Sequence, residues 1–222
     1  LAPFFCPDCQ TDFTPVASPF CTRCGRMFET SYGANHLCGD CIQQPPACRA
    51  IRSAGIYRGA LKSAIHALKY KNRVHMARPL GKLLFTAFME YHNFTDTVID
   101  CVMPVPLHIS RLRQRGFNQA LILIDAWPAF LAQTNSGRDF RIAETNLVRQ
   151  RKTETQTGLG REKRRQNVKG AFCIADTSGI SGKNILLVDD VFTTGATIEE
   201  CATTLLAAGA ASVSALTLAR AS

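Results

Sequence analysis

The sequence lacks an apolar run long enough to cross a membrane. Its longest such run, from Ala120 to Ala132, is shorter than the roughly 20 residues that a bilayer requires, and Asp125 and Pro128 interrupt it. The N-terminus also lacks a basic segment followed by an apolar one, so no secretory signal is visible. The chain begins at Leu1 rather than Met, and we expect that it has been trimmed. We predict a protein that does not insert into membranes.

Acidic residues are scarce relative to basic ones. There are 17 Asp and Glu against 26 Lys and Arg in 222 residues, which gives a formal net charge of +9. A hydrophobic content of 46% excludes wholesale disorder, and the length suits one full domain with a small appendage. The excess of positive charge favours polyanionic ligands.

Six of the ten cysteines form three Cys-x-x-Cys pairs near the N-terminus. The pairs are Cys6 and Cys9, Cys21 and Cys24, and Cys38 and Cys41. Each short loop can offer two thiolates to one metal ion. We predict that Cys21, Cys24, Cys38 and Cys41 form one closed structural Zn²⁺ site in a zinc ribbon. Cys6 and Cys9 remain a less certain half-site. Their partner ligands could lie upstream, or they could compete with the third pair for Cys21 and Cys24.

The other four cysteines are isolated in the sequence. Cys48, Cys101, Cys173 and Cys201 lie singly, mostly within apolar runs, and we predict that they are buried as small hydrophobic residues. Free thiols of this kind are typical of a reducing compartment, so we expect a cytoplasmic protein.

The remainder of the chain alternates between strand and helix patterns. Strands are predicted at 53–57, 98–105, 147–148, 171–175, 184–189 and 212–218, helices at 59–70, 77–91, 110–131 and 196–208, and a loop at 133–144. This alternation predicts an α/β domain with a parallel sheet flanked by helices. We place a Cys-rich zinc-binding module at residues 1–48 and the α/β domain at 49–222.

The segment after the strongest strand pattern carries the clearest chemistry. Four apolar residues, 185–188, are followed by Asp189 and Asp190 and then by the Thr-rich turn 193–197, which opens a helix. Ligands of open α/β sheets bind beyond the carboxyl ends of the strands, and a helix N-terminus favours a phosphate group. The carboxylates would contact the vicinal hydroxyl groups of a sugar, or a hydrated magnesium ion bound to those hydroxyl groups. The pattern therefore predicts a site for a 5-phosphorylated ribose.

The sequence VDDVFTTGAT at 188–197 resembles the phosphoribosyl pyrophosphate (PRPP) signature of type I phosphoribosyltransferases. It occurs with RLRQRGFNQ at 111–119, with shorter motifs at 54–59, 65–70 and 105–108, and with RQRKTETQTG at 149–158. Together with the cysteine pairs, these segments resemble the double-zinc-finger type of the ComF family. That family is linked to DNA uptake and natural transformation, and some relatives are linked to nutrient utilisation. The resemblance implies a type I phosphoribosyltransferase-like fold.

The resemblance also implies roles for individual residues. Asp189 and Asp190 would hold the ribose hydroxyls and form the catalytic acid pair. The PRPP-binding set would comprise, with that pair, Val191, Thr193, Thr194, Gly195, Ala196 and Thr197. A second loop, Pro106, Leu107 and His108 with Arg115, would hold the pyrophosphate, and Mg²⁺ would accompany the diphosphate.

Residues 149–169 carry much of the excess charge. Eight basic and two acidic side chains give this segment a net charge of +6. The candidate ligands for an anion are Arg151, Lys152, Arg161, Lys163, Arg164 and Arg165. We interpret 151–165 as a flexible loop that closes over pyrophosphate or binds nucleic acid.

Two functional hypotheses follow. In the first, the protein binds PRPP or ribose 5-phosphate in DNA uptake or nucleotide utilisation, and transfers phosphoribose with release of pyrophosphate if the activity survives. In the second, it is a non-enzymatic factor that binds single-stranded DNA or a DNA-uptake helicase and keeps the pocket for sensing or docking.

Overall fold

A computed structural model describes residues 6–30, 32–93, 97–134, 139–153 and 160–221. The strands are β1 (Ile51–Ile56), β2 (Cys101–Pro104), β3 (Arg141–Ile142), β4 (Leu147–Arg149), β5 (Phe172–Ile174), β6 (Asn184–Phe192) and β7 (Ser212–Arg220). The α-helices are α1 (Pro7–Thr11), α2 (Gly39–Gln43), α3 (Gly59–Tyr70), α4 (Ala77–Asn93), α5 (Ile109–Arg115), α6 (Gln119–Ile124), α7 (Trp127–Ala132), α8 (Arg161–Val168) and α9 (Ala196–Ala207).

Five strands form a parallel sheet in the order β1-β7-β6-β2-β3. β4 and β5 pair antiparallel in a separate two-stranded sheet. The central strands β6 and β7 consist largely of buried residues, as parallel strands covered on both faces require. The carboxyl ends of β1, β2, β6 and β7 therefore meet at one edge of the sheet.

Helices cover both faces of this sheet. On one face, α3, α4, α6 and α7 bury a core in which Phe88 and Trp127 stack with ring centroids 5.1 Å apart. On the other face, α9 packs against the sheet through Ile198, Cys201 and Leu205. Among the described helices, none combines the length and apolar character that a membrane crossing demands.

Most predicted elements are confirmed. The α3 prediction matches the observed bounds, and α9 and β7 differ by a few residues from theirs. The predicted helix 110–131 is divided into α5, α6 and α7, because Gly116 ends the first with φ of 84° and Asn118 caps the second. The prediction that 133–144 is entirely loop is wrong, since β3 lies within it and pairs with β2.

Strand β6 is longer than its predicted range of 184–189. It continues to Phe192 because β7 pairs beside it as far as Arg220. The acid pair therefore lies within the strand rather than after it. Successive strand residues point to opposite faces, so Asp189 shares the α9 face with Leu187, and Asp190 shares the α3 face with Val188.

The cysteine-rich segment rests on the edge of the sheet that β1 and β7 form. The amide of Ile51 donates to the carbonyl of Arg23 at 2.7 Å, and Arg52 donates to the carbonyl of Thr22 at 2.9 Å. Further along β1, the amide of Ile56 donates to the Thr14 carbonyl at 2.8 Å. These bonds hold the N-terminal segment against the α/β domain.

Candidate functional site

A cavity of about 580 Å³ opens at the carboxyl edge of the sheet. The ends of β1, β2 and β6 surround it, together with α3 and the N-terminus of α9. This is the position at which open α/β sheets bind their ligands. Its walls carry both acidic and basic side chains, so it suits a ligand with hydroxyl groups at one end and negative charge at the other.

The acid pair has a partner within the protein. Oδ1 of Asp190 lies 2.7 Å from Nζ of Lys69, and both side chains are largely buried. The second oxygen, Oδ2 of Asp190, is buried and has no hydrogen-bond partner in the described part of the chain. Burial opposes the charge of Lys69, but Asp190 and Asp189 raise the pKa of its ammonium. Asp190 therefore keeps one oxygen available while its charge is balanced.

Asp189 is in a different environment. Burial and the negative charge of Asp190 raise the pKa of Asp189 to about 7, against the opposing effect of Lys69. Oδ1 of Asp189 also accepts a hydrogen bond from the amide of Asp190 at 2.8 Å. A carboxyl group that is partly protonated near neutral pH can both donate to and accept from a hydroxyl group. The pair thus offers hydrogen-bonding atoms that a diol could use.

Thr193, Gly195, Ala196 and Thr197 of the turn 193–197 line one wall of the cavity, whereas Thr194 lines the neighbouring cavity instead. Gly195 is the N-cap of α9 and has φ of 78°, a conformation that favours glycine. A Cβ at this position would lie 2.8 Å from ring atoms of Phe192. The hydroxyl oxygen of Thr194 is buried without a hydrogen-bond partner among the described residues. The N-terminus of α9 is suited to a phosphate group.

Three arginines also line the cavity. Arg149, at the end of β4, is buried, and Arg111 and Arg164 also line the cavity. Burial and the like charge of Arg111 lower the pKa of the Arg149 guanidinium. Nε of Arg149 and Nε of Arg164 are buried without a hydrogen-bond partner in the described ranges. Cations held together in this way favour an anion between them.

The predicted pyrophosphate loop is only partly at the cavity. Pro106 and Leu107 line it. His108 is the N-cap of α5 instead: its Nδ1 accepts from the Ser110 amide at 3.2 Å and lies 2.8 Å from the Ser110 hydroxyl. Arg115 donates to Oε1 of Gln119 and so contacts the wall indirectly. Arg111, from the same motif, lines the cavity directly.

The expectation of a flexible basic loop needs correction. The segment from Arg161 is the helix α8, although residues 154–159 and the side chain of Arg161 lie outside the described part. Arg151 donates to two backbone carbonyls near the end of α8, at 2.9 and 2.7 Å. Arg165 donates to Gln44 at 3.3 Å. Lys152 and Lys163 are exposed.

An aromatic cluster stands at the mouth of the cavity. Tyr57 and His66 share a hydrogen bond of 2.8 Å, and the rings of His66 and Tyr70 meet edge to face at 5.3 Å. Lys62 lies 6.0 Å from the Tyr57 ring, and Arg115 lies 5.8 Å from the Tyr70 ring. Aromatic rings flanked by cations are typical of surfaces that stack nucleobases.

The four cysteines predicted as zinc ligands lie together. Their sulfur atoms are all within 4.8 Å of one another, and those of Cys24 and Cys38 are 3.8 Å apart. Tetrahedral Zn²⁺ with Zn–S bonds of about 2.3 Å requires sulfurs about 3.8 Å apart. Burial raises the pKa of Cys21, but amide donors including Cys24 and Cys38 outweigh it and lower the pKa to about 6, whereas burial raises the pKa of Cys24 and Cys41. The donor set therefore fits zinc.

The remaining cysteines are separate from this cluster. Cys6 is exposed and precedes α1, and Cys9 is half-buried. Within the described residues, neither joins a group of three or more potential ligands. Of the four isolated cysteines, Cys48, Cys101 and Cys201 are buried as predicted, whereas Cys173 is only half-buried.

The sequence pattern does not assign Lys69 or Arg149 to the site, and it places Arg111 there only as one of the arginines of the RLRQRG motif that would support the pyrophosphate loop. Lys69 lies off the apolar face of α3, where a solvated lysine is the ordinary expectation. Arg149 was part of a basic segment in which each residue looked equivalent. Its buried position depends on the pairing of β4 with β5, which a sequence pattern does not specify.

The chain matches two family models: a double zinc ribbon domain over residues 2–42 and a phosphoribosyl transferase domain over residues 141–222. It is 33% identical over 219 residues to competence protein F of Haemophilus influenzae, covering 97% of this chain and 90% of that protein. It is 34% identical over 203 residues to the DNA utilization protein YhgH of Escherichia coli K12, covering 90% and 83%. Hypoxanthine-guanine phosphoribosyltransferase from Schistosoma mansoni in complex with IMP aligns over 66% of each chain, at 16% identity and a TM-score of 0.37.

These findings define a class of protein in which a cysteine-rich zinc-ribbon module precedes a phosphoribosyltransferase-like α/β domain. The chain belongs to the ComF family, together with competence protein F and YhgH. The family resemblance and the fold class predicted from the sequence are both confirmed.

Proposed function

We propose that the cavity binds a ribose 5-phosphate group, and that PRPP is the ligand that occupies the whole length of the cavity. The proposal rests on three residues that line the cavity, each with a buried polar atom that has no hydrogen-bond partner in the described part of the chain. The atoms are Oδ2 of Asp190, Nε of Arg149 and Nε of Arg164. Buried polar atoms are ordinarily satisfied, so such atoms around one space favour a polar ligand there.

In this proposal the acids hold the sugar and the turn holds its phosphate. Asp189 and Asp190 meet the 2′- and 3′-hydroxyls, and Val191 follows them on the strand. Thr193, Thr194, Gly195, Ala196 and Thr197 surround the 5-phosphate. Lys69 orients Asp190 and lies opposite its charge, because the two groups are 2.7 Å apart in a buried position.

The diphosphate of PRPP would lie at the three arginines that line the cavity. Arg111, Arg149 and Arg164 are the candidate ligands, beside Pro106 and Leu107. Magnesium would arrive on the diphosphate as part of the ligand, since Asp190 is already paired with Lys69. If phosphoribose is transferred, these arginines would stabilise the charge that develops on the departing pyrophosphate.

The four-cysteine cluster is proposed as a structural zinc site. Four thiolates leave no open coordination position, so the metal would contribute folding energy rather than catalysis. Thiols that bind metal must remain reduced, which favours the cytoplasm as the compartment. Cys6 and Cys9 would belong to a second site of the double ribbon only if further ligands join them.

A thermal-shift measurement tests the pocket. PRPP with Mg²⁺ should raise the Tm of the wild-type protein, because a ligand that binds only the folded state stabilises it. The variant Asp189→Asn with Asp190→Asn should lose the shift, whereas Asp176→Asn, at an exposed aspartate outside the cavity, should keep it. An equal shift in the double variant would remove the assignment.

Whether the protein is an enzyme is a separate question. A phosphoribosyl transfer releases pyrophosphate when the right acceptor is present. Pyrophosphate release with one base, nucleoside or DNA end would support the enzyme hypothesis. No release with any of these, together with tight PRPP binding, would favour sensing or docking.

The aromatic cluster favours a second candidate function, which is binding of single-stranded nucleic acid. Competence protein F and the DNA utilization protein YhgH carry names that connect them with DNA, and we extend that connection to this chain as a proposal. Tyr70 is 67% exposed and stands beside cations, as a stacking residue should. A DNA-uptake helicase remains a candidate partner on the same grounds.

Oligonucleotide binding measured at several salt concentrations tests this second function. Tyr70→Ala should weaken binding of single-stranded DNA with little change in its salt dependence, since stacking is uncharged. Lys163→Ala with Arg165→Ala should weaken binding and make the salt dependence shallower. If both variants bind like the wild type, the cluster and α8 are not the binding surface.

A further inference from the structure

Arg220 is a buried cation at the last position of β7. It is 6% exposed, and its Nη1 donates to the carbonyl oxygen of Cys24 at 2.7 Å. Its guanidinium carbon lies 5.5 Å from the centroid of the Phe192 ring. None of the ion pairs among the described residues includes Arg220. A buried charge is costly unless charge of opposite sign lies nearby.

The four-cysteine centre lies beside Arg220 and is a source of negative charge when metal is bound. Four thiolates around one Zn²⁺ leave two net negative charges. Arg220 donates a hydrogen bond to the backbone of Cys24, one of the ligand residues. It therefore contacts the centre through a ligand residue rather than through a sulfur atom. Groups in this position orient the ligands and help to determine how firmly the metal is held.

On its other side, Arg220 borders the phosphate turn through Phe192. The amide of Ala221 donates to the carbonyl of Phe192 at 2.8 Å, and the Phe192 ring packs against Gly195 without room for a Cβ. Phe192 is the last residue of β6, directly before the turn. Its ring therefore lies directly against the turn at Gly195. Contacts run without a gap from Cys24 through Arg220 and Phe192 to the turn 193–197.

We propose that Arg220 is a positioning residue through which metal in the four-cysteine centre holds the turn 193–197 in its anion-binding conformation. The inference rests on the proposed zinc site and adds that the two sites are energetically coupled. Coupling between two binding sites is reciprocal, so an anion at the turn strengthens zinc binding by the same free energy with which zinc strengthens anion binding.

Amide hydrogen exchange of residues 192–197, with and without zinc, tests the coupling without any need for a ligand. Removing zinc from the wild-type protein should speed exchange in this segment about fivefold or more, the lower range of measured couplings, relative to α6. Arg220→Gln should show fast exchange already with zinc bound, and removing the metal should add little.

Arg52→Gln is the matched control. Arg52 is half-buried on β1 and donates to the Thr22 carbonyl of the same ribbon, but its guanidinium lies over Phe20 and Tyr91 rather than Phe192. It should respond to zinc as the wild type does. If Arg220→Gln does not fold or loses zinc, Phe192→Leu serves instead, because it keeps the bond from Arg220 to Cys24 and removes the ring against the turn.

Three results would overturn the inference: unchanged exchange in the wild type on removal of zinc, a wild-type response in both Arg220→Gln and Phe192→Leu, or loss of the response in Arg52→Gln. Ribose 5-phosphate added to the zinc-loaded protein gives a separate answer. If it fails to protect the turn while the response to zinc is present, the proposed ribose-phosphate function is wrong and the coupling stands.

Discussion

The ammonium nitrogen of Lys69 lies 2.7 Å from Oδ1 of Asp190, so a helix and the central strand are joined by a buried ion pair at the floor of the cavity. This pair balances one of two adjacent carboxylates. It leaves Oδ2 of Asp190 buried without a partner in the described part of the chain. The pair thereby presents an acceptor to a ligand without leaving a bare charge.

Removing Lys69 should be strongly destabilising. Lys69→Met leaves Asp190 buried and unpaired, and we expect a loss of about 3–5 kcal/mol in the free energy of unfolding, measured with urea. Lys62→Met, at an exposed position on the same helix, is the control and should change stability little. The double variant Lys69→Met with Asp190→Leu should recover most of the loss. A small effect of Lys69→Met alone would show that the pair is not buried as described.

Stability should depend on pH through Asp189. The pKa of this carboxyl is raised from 3.8 to about 7 in the folded protein, first by burial and then by Asp190. The folded state therefore holds a proton that the unfolded chain has released, so the free energy of unfolding contributed by this group falls as pH rises between these two values.

Asp189→Asn tests this pH dependence in urea unfolding between pH 4 and 8. The variant removes the titrating group, so it should gain stability relative to wild type at the upper end of the range and lose that advantage at the lower end. Asp125→Asn, at an exposed aspartate, should follow the wild-type profile. Parallel profiles for Asp189→Asn and wild type would contradict the raised pKa.

A side chain at Gly195 should disturb the turn. Both Gly195 and Gly116 have positive φ, 78° and 84°, but a Cβ on Gly195 meets the Phe192 ring, whereas one on Gly116 has nothing within 4 Å. We expect each alanine variant to cost about 1–2 kcal/mol for its backbone conformation. Only Gly195→Ala should also weaken binding of inorganic phosphate, measured by calorimetry. Equal phosphate affinities in the two variants would show that the turn does not hold the anion.

Zinc should depend on the clustered cysteines. Cys38→Ser should lose tightly bound zinc and should loosen the ribbon, because metal binding supplies folding energy in modules of this size. Cys9→Ser should retain the zinc of the four-cysteine cluster. Metal content per chain, measured after dialysis, distinguishes them. Loss of that zinc in Cys9→Ser would place Cys9 among the ligands of this cluster.

The sequence was sufficient to predict the sheet, most helices and the family. Four apolar residues before Asp189 indicated a buried strand, and Gly195 before an apolar helical face indicated where α9 begins. Spacing of Cys21, Cys24, Cys38 and Cys41 also predicted the observed cluster, because residues three apart in a tight turn place two sulfurs together. The division at residues 48 and 49 stays a prediction.

The polar contacts of the site could not be predicted in the same way. Lys69 meets Asp190 only because β1 and β6 belong to one sheet and α3 covers the face that Asp190 points to. The strand continues through the acid pair because β7 extends beside it, and this placed the acids on opposite faces. His108 accepts a hydrogen bond from the Ser110 amide at the start of α5 and does not line the cavity. Such choices depend on neighbours that are distant in the sequence.

The most direct test of the account compares ribose 5-phosphate with 2-deoxyribose 5-phosphate by calorimetry on the zinc-loaded protein. If Asp189 and Asp190 hold the vicinal hydroxyls, the ribose compound should bind about tenfold or more tightly, since a buried carboxylate deprived of its hydroxyl partner costs about 1–3 kcal/mol. Equal affinities for the two sugars, or no binding of either, would contradict the proposal that this acid pair recognises a ribose.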